Sequence, residues 1–411
     1  MPSTPDWLWL APLLASAGAA AAVWAYLNYG GFGRSLRYRL PQPDETPLPE
    51  DPEHIPGAGV AILSPGRDEA EHLPTVLPAL CEQDHPDYRV VFIDDASTDA
   101  TPGIAAAMAE RYPHLLVVRN DAEPPPGWMG KCWAIHRGYE ALRQSEVEHS
   151  ESAADWLCFT DADIHWHPAL LRTALRHALE HDADLLGVAP TLRFGSTSEA
   201  IVQLQLVLAL GLMVPFEQAM DPASPKALTG GAFILVRRKF YDDLGGHTAV
   251  RGEMVEDLKL GMALKAAGAR HRVAVAGDLQ WCRMYDGRSD MWEGLTKNAY
   301  AGLGHRWYAA AGLLVATLLL NVLPAPGSLA AAVWFVFSPS WPVALLAVLW
   351  LAATLLQARA LNAVRKLMRL PRPYAWTMPL GSAAYATILV ASAVQHHTTG
   401  NRWKGRRYPA T

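Results

Sequence analysis

The sequence contains a pair of carboxylates spaced to bind a hard metal ion, Asp161 and Asp163. They follow the apolar segment Trp156–Thr160, which is typical of a buried β-strand. Two carboxylates at the end of a strand can hold a divalent cation that also binds a diphosphate. Acidic residues are also common where helices start, and Asp163 precedes an apolar helical segment. The spacing alone leaves both interpretations open.

A second acidic pair, Asp94 and Asp95, follows the strand-like segment Arg89–Ile93. A carboxylate at this position could accept a hydrogen bond from a nucleobase N–H or a ribose hydroxyl. The run Ser97–Asp99 behind it is typical of a capped turn between a strand and a helix. Ligand binding and capping are compatible, because different residues can carry each.

Glu256 and Asp257 open a predicted helix in the segment GEMVEDLKLGMALKAAG. The helix dipole stabilises an ionised acid at this end. Such an acid suits a helix cap, or a general base that deprotonates a hydroxyl. We expect Leu258, Met262 and Leu264 of this helix to face the core.

Lys131 follows Gly130 at the start of another predicted helix, where it could contact phosphate oxygens. The sequence contains neither the GxxxxGK[ST] pattern of P-loops nor the GxGxxG pattern of dinucleotide-binding folds. This absence argues against kinases, ATPases and NAD-dependent dehydrogenases.

Between Ile55 and Leu303, short β-branched segments alternate with helical ones. This alternation predicts an α/β fold with a mainly parallel sheet and helices on both faces. We expect strands at Gly59–Leu63, Arg89–Ile93, Leu115–Arg119 and Trp156–Thr160, and helices at Glu71–Gln83, Thr101–Arg111 and Lys131–Gln144. The acidic pairs then lie at the carboxyl ends of parallel strands, where open α/β sheets bind ligands.

The composition predicts a membrane protein with an acidic soluble domain. The chain has 411 residues, of which 51% are hydrophobic and 18% charged, with a net charge of −5. From Ala301 onward there are ten basic residues and no acidic one, whereas the preceding part has 25 basic and 40 acidic residues. Four widely separated cysteines are typical of buried, reduced thiols.

Leu8–Leu27 is an uncharged segment long enough to cross a hydrocarbon core of about 30 Å. Arg34, Arg37 and Arg39 follow it, and no basic residue precedes it, which favours an uncleaved anchor over a signal peptide. The positive-inside rule then places the following domain in the cytoplasm. Pro41–Pro56 is predicted to be a linker.

The C-terminal region contains 52 uncharged residues, Trp307–Ala358, which we interpret as two spans at Trp307–Leu323 and Ser328–Gln357, the second interrupted by Pro339 and Pro342. A further apolar segment, Tyr374–Val394, follows a basic stretch. Three full crossings would put the basic tail outside, against the positive-inside rule. Three explanations remain open. The last segment is re-entrant or interfacial, the 52-residue region contains a different number of crossings, or the positive-inside rule fails here. Ile201–Phe216 is either buried or lies on the membrane surface, and we favour the surface.

These features predict four domains: an anchor at 1–33, a linker at 34–54, the α/β domain at 55–303, and a membrane region with a basic tail at 304–411. The basic residues of the last region flank apolar segments and suit anionic lipid headgroups, so nothing favours nucleic acid as a partner.

The order of the motifs resembles that of family 2 glycosyltransferases with the GT-A fold. The resemblance rests on LSPGRDEAEHLPTVLPAL, VVFIDDASTDAT, GWMGKCWA, CFTDADIHW, GGAFILVRR and VEDLKLGMALKAAG, and covers Val60 to Asn298. GWMGK-W, RMYDG and the closing WKGRRYP are most similar to hopene-associated glycosyltransferases, and less similar to carotenoid-type and ceramide-type transferases.

The resemblance implies a role for each matching residue. Asp161 and Asp163 match the pair that presents Mg²⁺ or Mn²⁺ to the donor diphosphate. Asp257, beside Glu256 in the Glu-Asp motif, matches the base that deprotonates the acceptor. The matches on the donor side are Pro65, Arg67, Glu69, Asp94, Asp95 and Lys131.

The chain departs from the family pattern at two places. Val255 stands where Thr is frequent, which we regard as minor. The QxxRW motif of processive synthases is missing, and Arg283 to Trp292 takes its place, so a single transfer is favoured.

The resemblance therefore predicts an inverting, metal-dependent transfer from a UDP-linked sugar to a lipid hydroxyl, with a hopanoid-related acceptor. The expected location is the cytosolic face of a bacterial inner membrane that the chain crosses several times. Alternative acceptors are a polyprenyl phosphate, a carotenoid or another glycolipid. An inactive scaffold of lipid biosynthesis is the alternative outside enzymes.

Overall fold

The computed structural model describes residues 8–29, 37–42, 59–149, 152–398, 401–403 and 406–408. Residues 1–7 and 30–33 of the predicted anchor, most of the predicted linker and part of the basic tail lie outside this range. The chain divides into two compact units. An α/β unit holds the described parts of Ser35–Arg193 and Val214–Arg283, and a helical unit holds those of Met1–Arg34, Phe194–Met213 and Met284–Thr411.

The strands of both units have two to seven residues each. In chain order they are β1 (Val60–Gly66), β2 (Tyr88–Asp94), β3 (Leu115–Arg119), β4 (Trp156–Phe159), β5 (Ile164–Trp166), β6 (Leu185–Ala189), β7 (Thr191–Leu192), β8 (Ile234–Arg237), β9 (His271–Val275), β10 (Gln280–Cys282), β11 (Asn401–Trp403) and β12 (Arg406–Tyr408).

The main sheet of the α/β unit has the order β3-β2-β1-β4-β8-β6-β9. Its neighbouring strands are parallel except around β8, which runs antiparallel to both β4 and β6. The predicted α/β fold with a mainly parallel sheet is therefore confirmed. A second sheet has the order β5-β10-β7. All four predicted strands form, and the carboxyl ends of β2 and β4 carry the two acidic pairs.

The helices of the α/β unit are α2 (Leu73–Cys81), α3 (Thr101–Arg111), α4 (Gly130–Glu148), α5 (Leu170–Glu180), α7 (Phe216–Met220), α8 (Arg238–Leu244) and α9 (Glu256–Ala266). Those of the helical unit are α1 (Ala11–Tyr29), α6 (Thr197–Met213), α10 (Arg288–Ala299), α11 (Trp307–Thr317), α12 (Pro324–Phe337), α13 (Trp341–Leu367) and α14 (Met378–Thr398).

The close approach of α4 to the sheet depends on one glycine. A Cβ added to Gly138 would lie 2.4 Å from Cγ1 of Ile93 in β2. Because no side chain fits there, α4 packs directly on the sheet through Ala134, Ile135 and Leu142. This packing sets the position of the start of α4, which carries Lys131.

Helix α9 buries one of the three residues that were predicted to face inward, Leu264. Leu260 and Leu264 are buried, whereas Leu258 and Met262 are only half-buried. A Cβ on Gly261 would meet Oγ1 of Thr229 at 2.1 Å, so this residue lets the segment before β8 pack against the helix. The prediction is therefore confirmed for Leu264, whereas Leu260 takes the inward position expected for Leu258.

Two helices among the described residues, α13 and α14, are long and apolar enough to cross a membrane. A third span is possible if the bent pair Arg288–Leu303 and Trp307–Val322, which meet at 113°, counts as one. The N-terminal segment is helical, as α1, but it does not belong to this group. The N-terminal anchor stays a prediction.

The predicted span Ser328–Gln357 is not one helix. The chain breaks between α12 and α13, and Pro342 then occupies the first turn of α13. Proline disfavours the helical conformation in the residue before it and fits the first turn of a helix. Pro339 therefore disfavours continuation of α12, and Pro342 suits a new start.

Candidate active site

Lys131 brings together two of the predicted acidic motifs. Its Nζ lies 2.6 Å from Oδ1 of Asp161, just after β4, and 2.6 Å from Oε1 of Glu256, the first residue of α9. These three residues line one pocket together with Asp257 and Pro65. Positions more than 120 residues apart in sequence thus form one site.

Asp257 is held in place by backbone donors on both of its oxygens. Gly231 N–H donates to Oδ2 at 2.7 Å, and Leu258 N–H donates to Oδ1 at 2.7 Å. Burial and the neighbouring charge of Glu256 raise the pKa of Asp257, and Lys131 partly opposes this shift. The carboxylate is therefore fixed in orientation and binds a proton more readily than an exposed aspartate.

Lys131 keeps its proton despite its burial. Desolvation lowers its pKa, but the charges of Asp161, Glu256 and Asp257 outweigh this effect and raise the pKa well above the usual value. Around this ammonium the pocket holds three carboxylates. We refer to these four residues as the Lys131 cluster. It carries surplus negative charge that a metal ion or a proton can balance.

Two residues of the pocket were missed in the sequence. A Cβ on Gly231 would lie 2.4 Å from Oδ2 of Asp161 and 2.9 Å from Nζ of Lys131, so only glycine fits. The Gly-Gly step before β8 was the available signal. His247 is buried and binds the hydroxyl of Tyr241 through Nδ1 at 2.8 Å. Burial and the positive charge of Lys131 lower its pKa to about 3, so it is neutral.

Asp94 and Asp95 form a second acidic group, which we call the Asp94 pair. Asp94 is 1% exposed and accepts hydrogen bonds from Nη1 of Arg119 at 2.6 Å and from the N–H of Ser97 at 3.1 Å. Oδ1 of Asp95 accepts from Nδ2 of Asn120 at 2.9 Å. Both carboxylates are therefore held by protein donors.

The loop after β1 approaches the Asp94 pair, as predicted for the donor side. Nη1 of Arg67 donates to the carbonyl oxygen of Asp95 at 3.2 Å. Glu69 N–H donates to Oγ1 of Thr101, at the start of α3. Arg67 thus lies beside the Asp94 pair and Glu69 beside the start of α3, whereas Pro65 lines the pocket of the Lys131 cluster.

Asp163 does not cap a helix. Strand β5 begins at the next residue, and α5 starts only at Leu170. The charges of Asp163 and Asp161 add to burial in raising the pKa of Cys282, so both carboxylates lie near this thiol. The capping interpretation is therefore wrong for Asp163.

The residues present fit a divalent cation whose remaining ligands come from the substrate. Asp161 and Asp163 offer the carboxylate oxygens that Mg²⁺ and Mn²⁺ prefer. Within the described residues, no group of three or more His, Cys, Asp or Glu side chains is arranged to hold a metal ion. Two protein carboxylates and the oxygens of a bound diphosphate would together provide enough ligands.

The segment that takes the place of the QxxRW motif begins at Gln280, before the predicted Arg283. Gln280 and Arg283 have the Q-x-x-R spacing, with Met284 in place of Trp. Gln280 is fully buried and its Nε2 donates to the carbonyl oxygen of Ala232 at 2.8 Å. Gln280 thus ties β10 to the segment that follows Gly231.

Residues 56–308, about three fifths of the chain, match the family model described as "Glycosyltransferase like family 2". The curated relatives include a beta-monoglucosyldiacylglycerol synthase of Synechocystis sp., 33% identical over 101 residues, which are 24% of this chain and 21% of that protein. An N-acetylglucosaminyl-diphospho-decaprenol L-rhamnosyltransferase of Mycobacterium tuberculosis is 25% identical over 215 residues, 48% of this chain and 67% of that protein.

A 4,4'-diaponeurosporenoate glycosyltransferase of Staphylococcus haemolyticus is 23% identical over 250 residues, 59% of this chain and 61% of that protein. The matched region thus spans only about a fifth of the synthase and about two thirds of the other two relatives. Among solved structures, a mannosyltransferase from Pyrobaculum calidifontis in complex with GDP-Man and Mn²⁺ has a TM-score of 0.51 at 20% identity, covering 93% of this chain and 98% of that one. That likeness concerns the fold.

Proposed function

The chain belongs to the family 2 glycosyltransferases and has their GT-A-like α/β fold, and on this premise we propose that it transfers one sugar from a nucleotide-sugar donor to a lipid acceptor with inversion. The observation that carries the proposal is the Lys131 cluster. It joins a backbone-held Asp257, a fixed ammonium and the first residue of the Asp161–Asp163 pair in one pocket.

Asp257 is the proposed general base. Its carboxylate accepts the proton of the acceptor hydroxyl while the oxygen attacks the anomeric carbon of the donor. The bond from this carbon to the donor phosphate breaks, and the nucleoside diphosphate leaves from the opposite face. Attack from that side inverts the anomeric configuration.

The leaving diphosphate gains charge that the pocket has to compensate. Lys131 is placed to move from its carboxylate partners to a phosphate oxygen, since its ammonium already lies in the pocket. Asp161 and Asp163 would hold Mg²⁺ or Mn²⁺, which neutralises charge on the diphosphate when bound. The mannosyltransferase from P. calidifontis was solved with Mn²⁺, which supports a divalent ion here.

The Asp94 pair and the loop after β1 are the proposed nucleotide site. Asp95 would accept hydrogen bonds from the base or ribose, and the donors on Asp94 fix the backbone beside it. Arg67, Glu69 and Pro65 complete the donor side. We propose a UDP-linked sugar, with a GDP-linked sugar as the alternative because of the ligand of the P. calidifontis enzyme.

The proposed acceptor is a membrane lipid, and a hopanoid-related lipid remains our specific proposal. The names of the relatives include a diacylglycerol, a diphospho-decaprenol and a carotenoid acid, all of them lipids. The apolar helices α13 and α14 support membrane association. We place the protein in the bacterial inner membrane with several crossings and the α/β unit in the cytosol.

The proposal is tested by nucleotide release from a panel of UDP- and GDP-linked sugars. Membranes with the wild-type protein receive extracted bacterial lipids as acceptor, with Mg²⁺, Mn²⁺ or EDTA. We expect release from one donor that requires metal and is lost in Asp257→Asn. The exposed Asp243→Asn on α8 is the matched control. Release that is equal in wild type and Asp257→Asn would contradict the mechanism, and no release from any donor by folded protein would favour an inactive scaffold.

A further inference from the structure

Three side chains of the second sheet form a stack beside the proposed metal site. The rings of His165 in β5 and Trp281 in β10 are 3.7 Å apart and within 6° of parallel. The guanidinium carbon of Arg193 lies 3.7 Å from the centre of the Trp281 ring. We call these three residues the Arg193 stack.

The sheet fixes the stack from both sides of β10. Trp281 pairs across the sheet with His165 on one neighbour and with Thr191 of β7 on the other. Arg193 follows β7 directly, and its N–H donates to the carbonyl oxygen of Cys282 at 2.8 Å. The backbone on each side of the Trp281 ring is thus hydrogen-bonded, which holds the guanidinium in one place.

The stack is next to the acidic turn that would bind the metal ion. Ile164, the residue after Asp163, pairs with Cys282 at the end of β10. The Arg193 stack and the Asp161–Asp163 pair therefore belong to one end of the same small sheet. A group bound at Arg193 would lie on the side of the reaction centre that this sheet forms.

The positive charge of Arg193 has no acidic partner. In the described part of the chain, its exposed guanidinium makes neither an ion pair nor a hydrogen bond, although four carboxylates belong to the nearby site. Lys131 and Arg119, by contrast, each bind two carboxylates. Arginine does not lose its proton in proteins, and stacking on an aromatic face leaves its N–H donors available.

A planar guanidinium with available donors is suited to bidentate binding of a phosphate. We propose that the Arg193 stack binds the phosphate group of an anionic membrane lipid beside the acceptor. This inference rests on the proposed function. The donor diphosphate has other counter-charges in that proposal, namely Lys131 and the divalent ion.

The composition of the chain favours a lipid phosphate over a free one. Helices α13 and α14 are long and apolar enough to cross a membrane. A protein that is associated with a membrane meets phosphate in the headgroups of anionic lipids.

The test uses the full-length protein in nanodiscs and two probes that differ only in the head, decyl phosphate and decanol. Calorimetric titration of the wild type should show that decyl phosphate binds about tenfold more tightly or better, since a charge-assisted bidentate contact contributes at least this much. Arg193→Ala should abolish the preference, and Arg193→Lys, which keeps the charge without the planar fork, should retain only part of it. The exposed Arg111→Ala on α3 is the matched control.

A second variant tests whether the ring of Trp281 supports the guanidinium of Arg193. Trp281→Leu should reduce the preference because the guanidinium loses its platform, while circular dichroism and thermal melting check that the variant folds. If Trp281→Leu does not fold, the two Arg193 variants decide. An undiminished preference in Arg193→Ala would overturn the proposal.

Inorganic phosphate separates the two sources of the anion. We expect it to bind the wild type about tenfold more weakly than decyl phosphate, because it lacks an apolar chain. Equal binding would assign the stack to free phosphate and overturn the lipid part of the proposal. Titration with UDP and Mn²⁺ on the same wild-type sample tests the proposed function separately, since failure to bind the donor would contradict that function without involving Arg193.

Discussion

The two acidic groups of the α/β unit differ in what balances their charge. In the Asp94 pair, the carboxylates accept hydrogen bonds from Arg119, the backbone of Ser97 and the amide of Asn120. In the Lys131 cluster, three carboxylates surround one ammonium, and burial raises the pKa of Asp257. The first group is held by separate donors on each carboxylate, whereas in the second a single ammonium faces three carboxylates.

This difference agrees with the two proposed roles: the Asp94 pair belongs to the nucleotide site, and the Lys131 cluster is where the reaction takes place. The hydrogen bonds on the Asp94 pair fix the positions of its two carboxylates. A carboxylate cluster with surplus charge binds a cation or a proton when one arrives, and so supports a reaction that needs both. Substitutions in the Asp94 pair should therefore change stability and donor binding, whereas those in the Lys131 cluster should change turnover.

The largest effect is expected for Asp257→Asn. An amide of the same shape keeps the packing but cannot accept the acceptor proton, so kcat should fall by about 10³-fold. The KM for the donor should stay within about threefold, because the variant removes a transition-state interaction only. Steady-state nucleotide release and thermal melting measure both effects. If kcat falls less than tenfold, Asp257 is not the base. The Asp94 pair and the Lys131 cluster would then no longer differ in their expected effect on turnover.

The pH dependence of turnover tests the same residue without a mutation. Burial and the charge of Glu256 raise the pKa of Asp257, and the base acts only when ionised. Activity should therefore fall about tenfold per pH unit below this pKa, at a pH above the usual range for aspartate. Its folding contribution has the opposite sign, since a raised pKa favours the folded state at low pH and loses this effect as pH rises through the folded pKa. A profile that is flat down to pH 4 would contradict this assignment.

The sequence predicted the elements that carry the site because their signals are local. The strand before Asp161, the strand before Asp94 and the helix that starts near Lys131 each appear as a short pattern, and the bounds of α3 and β3 match the prediction. The Asp-x-Asp spacing and the Glu-Asp pair were likewise visible within a few residues. Their roles stay predictions.

What the sequence did not show depends on long-range packing. The ion pairs of Lys131 with Asp161 and Glu256 require β4 to lie between β1 and the antiparallel β8, an order that no local pattern contains. Gly231 and His247 become part of the site only in that arrangement. The break between α12 and α13 lies at Pro339 and Pro342, the two residues that interrupt the predicted span Ser328–Gln357, because the signal of a proline is local.

Lys131→Met tests the contrast between the two acidic groups through the affinity for Mn²⁺ in the absence of donor. Removal of the ammonium leaves three carboxylates without a counter-charge, so the affinity for Mn²⁺ alone should rise by about tenfold. Affinity for UDP in the presence of Mn²⁺ should fall by a similar factor, because the phosphate loses a cation. Electron paramagnetic resonance of free Mn²⁺ measures the first effect and calorimetry the second. Lys239→Met, at an exposed position on α8, should change neither, and weaker Mn²⁺ binding by Lys131→Met would show that the ammonium does not compete with the metal.

The smallest effect on turnover is expected for Asp94→Asn, because this carboxylate holds the backbone beside Asp95 in place and takes no part in the reaction itself. The side chain is 1% exposed and its partner Arg119 is 42% exposed, so solvent screens one side of the pair. The free energy of unfolding should fall by about 1–3 kcal/mol, the usual cost of disturbing a buried, charged hydrogen bond. The KM for the donor should rise about threefold through displacement of Asp95, with kcat unchanged. Urea unfolding and donor titration measure these effects, and a kcat loss as large as that of Asp257→Asn would show that both acidic groups belong to one reacting centre.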